Sequence, residues 1–208
     1  MRFWKVERGL KMKVDIDKLK ELRARTGAGV VDCRNALLES GGDLDRAIEI
    51  LRKKGIVKAA KKAGRITKEG IIDAYIHPGE RIGVILEVNC ETDFVARNQE
   101  FRRFVHDIAL QIAATDPIGV SRSDIPGEII EKEKAIYKSQ IDTEKKPPHI
   151  VDKIIQGKLE KFYRDVCLLE QPFVKNPDIT IGDYLKEQIA KFGENIVIRR
   201  FTRYVLGE

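Results

Sequence analysis

The side chains best suited to nucleophilic, redox or metal chemistry in this chain are three histidines (His77, His106, His149) and three cysteines (Cys33, Cys90, Cys167), and their spacing supports none of it. No Cys-x-x-Cys pair exists to hold zinc, and an odd number of distant thiols fits no disulfide framework. Neither a Gly-x-Ser-x-Gly elbow nor a His-Glu-x-x-His pair occurs, and no Gly-x-x-x-x-Gly-Lys-Ser/Thr loop is present to cradle phosphate. The glycine-rich stretch Thr26-Gly27-Ala28-Gly29 follows a helical pattern rather than a strand, so it reads as a helix–helix connection. The cysteines read as buried structural thiols. These residues point away from an enzyme, and neither a cofactor nor a metal is expected.

The residue that stands out is an aromatic. Phe94 falls in the polar junction Asn89-Cys90-Glu91-Thr92-Asp93-Phe94-Val95-Ala96-Arg97-Asn98, between an apolar strand pattern and an amphipathic helix. Its ring either seals the base of that helix or is offered to a partner. If Asn98 caps the helix, the hydrophobic-staple position is Arg97, so Phe94 is not an ordinary staple. Spacing leaves both readings open. An exposed aromatic beside a carboxylate would suit an interface hot spot.

The elements that position this junction follow from periodicity. Three short helical patterns come first, each ended by glycine: one through Ile16, Leu19 and Leu22 behind Asp15 and Asp17, one through Val30, Val31, Leu37 and Leu38, and one through Leu44, Ala47, Ile48 and Leu51 behind Asp43. The spacing predicts a small ubiquitin-associated-like domain over 13–55, with the third helix stopping at Gly55. A basic, Ala-rich and partly helical linker is expected over 56–70, then a hairpin of strands 71–77 and 81–90 turning at Pro78-Gly79. Asn98 caps a helix bearing Phe101, Phe104, Val105, Ile108 and Ile112. A helical hairpin follows, with arms near 127–141 and from Ile150 to Val166 and a loop at 143–149. A long loop at 169–179, a helix at 181–192 behind Thr180 and a last strand at 195–205 complete the pattern. The expected fold class is α+β: the N-terminal three-helix domain, then a core (71–208) of antiparallel sheet packed with helices and a helical hairpin.

At 208 residues the chain can build one good core and a small second one. Its charged fraction of 35% and lack of any apolar run near the roughly 20 residues a bilayer requires point to the cytoplasm and away from a membrane. Residues 1–12 read as an N-terminal extension, with Met12 a candidate start. The net charge of +6 is spread among acids, and the runs Arg52-Lys53-Lys54, Lys61-Lys62 and Arg199-Arg200 read mainly as solvated faces. A basic RNA- or ribosome-binding protein is the alternative they suggest, and an adaptor built on the three-helix start is a second.

Four segments carry a resemblance. Leu22-Arg-Ala-Arg-Thr-Gly-Ala-Gly-Val-Val-Asp-Cys-Arg-Asn-Ala-Leu37, Lys58-Ala-Ala-Lys-Lys-Ala63, Val88-Asn-Cys-Glu-Thr-Asp-Phe-Val-Ala96 and Gly193-Glu-Asn-Ile-Val-Ile-Arg-Arg200 are similar, in this order, to elongation factor Ts. The resemblance implies a guanine-nucleotide exchange factor for elongation factor Tu, bound to that GTPase in its GDP-bound and nucleotide-free states. It implies that Thr92, Asp93, Phe94 and Val95 dock on the partner, with Phe94 as a wedge that disturbs the Mg²⁺ and phosphate sites. Arg23, Val30, Val31, Arg34, Phe192 and Gly193 match further contacts. Long members duplicate the core module, whereas this chain carries one copy and is similar to short members that pair as homodimers. On that footing the partners are elongation factor Tu and a second copy, with no direct nucleic acid. His77 would then reach elongation factor Tu from the second subunit, and the C-terminal strand would be a noncovalent seam, since Thr202 offers no thiol.

Overall fold

A computed structural model describes residues 14–141 and 147–208. The expected extension 1–12 and most of the expected loop 143–149 lie outside the described residues. The chain divides into two compact units, one ending at Lys58 and the other running from Ala59 to Glu208.

In the first unit, helices α1 (Ile16–Thr26) and α2 (Val30–Glu39) and most of α3 (Leu44–Ala60) surround a core of Leu22, Cys33, Ala36, Leu37 and Ala47. The caps are those the sequence calls for. Asp15 accepts a hydrogen bond from the Asp17 N–H at 2.9 Å, and Asp43 accepts one from the Arg46 N–H at 3.0 Å. Gly27 ends α1 in the left-handed region at φ 63°. One expectation fails: α3 does not stop at Gly55 but continues to Ala60, so the segment read as a linker begins as helix. A glycine inside a helix costs only about 1 kcal/mol, too little by itself to end one, and beyond it Ala59 is buried at 5% exposure.

The second unit begins with the hairpin β1 (Glu69–Ile76) and β2 (Ile82–Cys90). Its turn is a type II β-turn: the Glu80 N–H donates to the His77 carbonyl at 2.9 Å, Pro78 sits second and Gly79 third at φ 92°. After β2 come α4 (Asp93–Arg97), α5 (Gln99–Thr115), α6 (Gly127–Ser139) and α7 (Pro148–Val166). Pro148 and His149, expected in a loop, open α7 instead, because proline's fixed φ suits a first helical turn. The expected loop 169–179 is likewise corrected. A 3₁₀ turn at Leu168–Glu170 leads into a small ladder of β3 (Pro172–Phe173) and β4 (Asn176–Thr180), whose two-stranded form tolerates prolines. The buried Gln111 side chain anchors it, donating to the Pro172 carbonyl at 3.1 Å and accepting from the Val174 N–H at 2.8 Å. Helix α8 (Ile181–Phe192), capped by the Thr180 hydroxyl and ended by Gly193 at φ 73°, precedes β5 (Ile196–Val205).

The sheet is antiparallel throughout, in the order β1-β2-β5. On one face Val84, Leu86, Val88 and Cys90 of β2 bury against the α5 stripe of Phe101, Phe104, Val105, Ile108 and Ile112. The opposite face is open. Alternation puts Ile72, Ile76, Ile85 and Tyr204 there, all at least half exposed.

Candidate partner-docking site

The end of β2 decides where Phe94 goes. Cys90 faces Ile196 in the last rung of the β2–β5 ladder, and beyond it the two backbones no longer pair. Two carboxylates take over. Glu194 accepts from the N–H groups of Glu91 and Thr92 at 3.1 and 3.0 Å, and from the Thr92 hydroxyl at 2.6 Å. Glu91 returns the arrangement, accepting from the Asn195 N–H at 2.6 Å with the Arg65 guanidinium 3.5 Å away. The Asn195 amide donates to the Arg65 and Ala63 carbonyls, and Lys62 donates to the carbonyl of Gly193.

Thr92 is thus held extended, at φ −129° and ψ 155°, as the N-cap of α4, with its hydroxyl engaged by Glu194 instead of capping the helix. Five residues cannot sustain a helix alone. Helix α4 is kept by its contacts: Ala96 is 6% exposed, Val95 packs against the core, and the Asn98 N–H closes on the Val95 carbonyl at 3.0 Å while the Asn98 side chain caps α5. With those residues inward, Phe94 points out and is 83% exposed. The question the sequence left open is answered: the ring does not seal α5. Burying such a ring is worth about 2 kcal/mol, which remains available to a partner. Beside it, Asp93 and Arg97 form an ion pair at 3.1 Å.

Thr92 meets Glu194, the neighbour of Gly193 in the chain, and Asp93 and Phe94 follow Thr92 as the first two residues of α4. Phe192 is partly buried, packing edge-on against Phe101 with ring centroids 6.0 Å apart. His77 is exposed at the hairpin turn, where the Tyr75 hydroxyl lies 3.0 Å from its Nδ1. Eight strand steps separate Ile82 from Cys90, so within one chain the turn lies roughly 26 Å from the Phe94 end of the sheet. Arg23, Val30, Val31 and Arg34 are exposed on the first unit, Val31 at 70%. The sequence reading missed Glu91, Glu194 and Asn195. The only available signal was a polar run between a helix-ending glycine and a strand.

The groups considered for chemistry are differently placed. Cys33, Cys90 and Cys167 are free and buried, and burial pushes the thiols of Cys90 and Cys167 up to about 11. Among the described residues, no group of three or more His, Cys, Asp or Glu is disposed to hold a metal, and no helix is long and apolar enough to cross a membrane. The basic runs sit among acids, with Lys54 meeting Glu39 at 2.6 Å and Arg200 meeting Glu87 at 2.7 Å, and between the runs Lys58 meets Asp32 at 2.8 Å.

Comparison with known proteins gives one consistent result. Residues 43–208 match the family described as Elongation factor TS. The chain is 61% identical over 190 residues to "Elongation factor Ts" of Carboxydothermus hydrogenoformans, covering 91% of this chain and 88% of that protein. It is 56% identical over 195 residues to the same-named protein of Caldanaerobacter subterraneus subsp. tengcongensis, covering 94% and 98%. It is 57% identical over 197 residues to that of Thermodesulfovibrio yellowstonii, covering 95% and 98%.

Proposed function

The chain belongs to the elongation factor Ts family, and from that membership we propose how it acts as the guanine-nucleotide exchange factor of elongation factor Tu. It is a cytoplasmic translation factor and not an enzyme: no covalent bond is made or broken by its own side chains. The Phe94 ring inserts between helices of the partner's nucleotide-binding domain and disturbs the Mg²⁺ and β-phosphate sites there, so that GDP leaves and GTP replaces it. Asp93 makes polar contacts beside the ring, and Thr92 and Val95 complete the docking segment. Arg23, Val30, Val31 and Arg34 of the first unit, with Phe192 and Gly193 at the end of α8, supply further contacts.

The energetics need only linkage. Factor and GDP weaken each other's binding to elongation factor Tu by one common factor, because coupling between two ligands is reciprocal. The exchange factor therefore binds both GDP-bound and nucleotide-free partner, and the latter more tightly. The observation that carries the reading is the large exposure of Phe94 on a helix whose other side chains are tied to the core. Release of a fluorescent GDP analogue from elongation factor Tu tests it. Phe94→Ala should slow the stimulated rate roughly thirtyfold or more, the effect of losing about 2 kcal/mol at a hot spot. Wild-type rates for both Phe94→Ala and Asp93→Ala would sink the wedge.

The factor works as a homodimer. Support comes from the open face of the sheet, where Ile72, Ile76, Ile85 and Tyr204 form an apolar surface of the sort that marks an interface. A second copy would cover it, with β5 contributing Tyr204 and Thr202 to a noncovalent seam. His77, remote from Phe94 in its own chain, then reaches elongation factor Tu from the second subunit.

A further inference from the structure

We infer that Glu194, with Glu91 as its counterpart, is a positioning residue for exchange: a reciprocal carboxylate latch that sets the direction in which Phe94 is presented. The inference rests on the wedge reading and deepens it.

The ladder between β2 and β5 ends at Cys90 and Ile196, one residue before Glu91 and four before Phe94. Backbone rungs therefore cannot orient the docking segment. Glu194 accepts three hydrogen bonds, all from Glu91 and Thr92, and Glu91 accepts from the Asn195 N–H. Each carboxylate thus holds the backbone of the strand that carries the other. The bonds from the Thr92 hydroxyl and the Asn195 N–H, both 2.6 Å, have the short length of charge-assisted bonds, which are roughly twice as strong as neutral ones. The bonds to Glu194 fix Thr92, which begins α4, and Phe94 is the second residue of that helix. Val95 and Ala96 hold the other side of α4, so the latch and the core together leave the ring a single outward direction.

The geometry also says what a substitute must retain. Glu194→Gln can keep its carbonyl oxygen toward the two N–H groups and turn its amide to donate to the Thr92 hydroxyl, which reverses to accept. Glu194→Ala removes every acceptor.

The test measures stimulated release of a fluorescent GDP analogue from elongation factor Tu at saturating full-length factor. Glu194→Ala and Glu91→Ala each strike the latch, from opposite strands, so one remains informative should the other fail to fold. Each should slow release about tenfold, as the loss of charge-assisted hydrogen bonds implies, while Glu194→Gln stays within about twofold of wild type. A residue that acts through Phe94 has nothing left to position once the ring is gone, so Glu194→Ala added to Phe94→Ala should slow release no further. The inference is overturned if Glu194→Ala exchanges like wild type, if Glu194→Gln is as slow as Glu194→Ala, or if Glu194→Ala slows the Phe94→Ala protein by the factor it slows wild type. Normal exchange by both Phe94→Ala and Asp93→Ala would remove the wedge itself, a separate result read from separate variants.

Discussion

Cys90 lies directly beneath the docking segment, fully buried, with its Sγ 3.2 Å from the Thr92 carbonyl to which it donates. Burial raises its pKa from 9.0 to about 11, and the negative charge of Glu194 adds to the rise. The folded state therefore favours the neutral thiol. That preference is fully present below pH 9 and is lost as pH rises through about 11, since a thiolate there would have to be solvated by unfolding. Cys167 behaves alike, also raised to about 11 by burial. The expected outcome is that iodoacetamide leaves all three cysteines unmodified at pH 8 until denaturant is added, and that the urea midpoint falls between pH 9 and 11. Rapid alkylation of the native protein would show that the base of the docking segment opens readily.

At the scale of elements, the close approach of β1 to β2 depends on Gly70. It sits at φ 148°, and a Cβ built there would lie 2.2 Å from the Val88 carbonyl oxygen. Gly70→Ala should lower stability by about 2–3 kcal/mol through strained backbone and forced separation of the strands, read as a fall in the urea midpoint. An unchanged midpoint would mean that the hairpin relaxes freely at this end. The caps and stripes of these elements were legible in the sequence because they are local: Asp15, Asp43, Asn98 and Thr180 each bond within three residues, and the α5 stripe repeats at helical spacing. What stayed hidden depends on distant partners. The ladder at 172–180 needs the Gln111 amide some sixty residues away, helix α3 outlasts Gly55 because Ala59 finds a core, and Glu194 meets Thr92 across 102 positions. Phe94 shows the same division, since its candidacy was local but its exposure was settled by where Val95 and Ala96 are buried.

For the whole molecule, the open sheet face is the surface that the proposed dimer would cover. Light scattering at micromolar concentration should give a mass of twice 23.7 kDa; a clean species at the single-chain mass would refute the dimer. Ile85→Lys, in the centre of that face opposite Thr202 and Ala74, should shift the protein to the single-chain mass, because the seam would then have to desolvate an ammonium group. Glu87 and Arg200 cross the same face at 2.7 Å, and the hydrogen bond from Arg200 holds the Glu87 carboxyl below its ordinary pKa. Their contribution is present at neutral pH and fades as pH falls through the carboxylate range.

The tethering of Thr92 and Asn98 on either side of α4 has a kinetic corollary. A docking loop that was loose in the free factor would have to freeze at every encounter with the GTPase. Here the backbone is already fixed when the chain folds, so only the torsions of a single ring remain to settle, at about 0.5–1.5 kcal/mol for one immobilised side chain. On the proposed docking mode, the factor thereby avoids an ordering step on arrival and a melting step on departure.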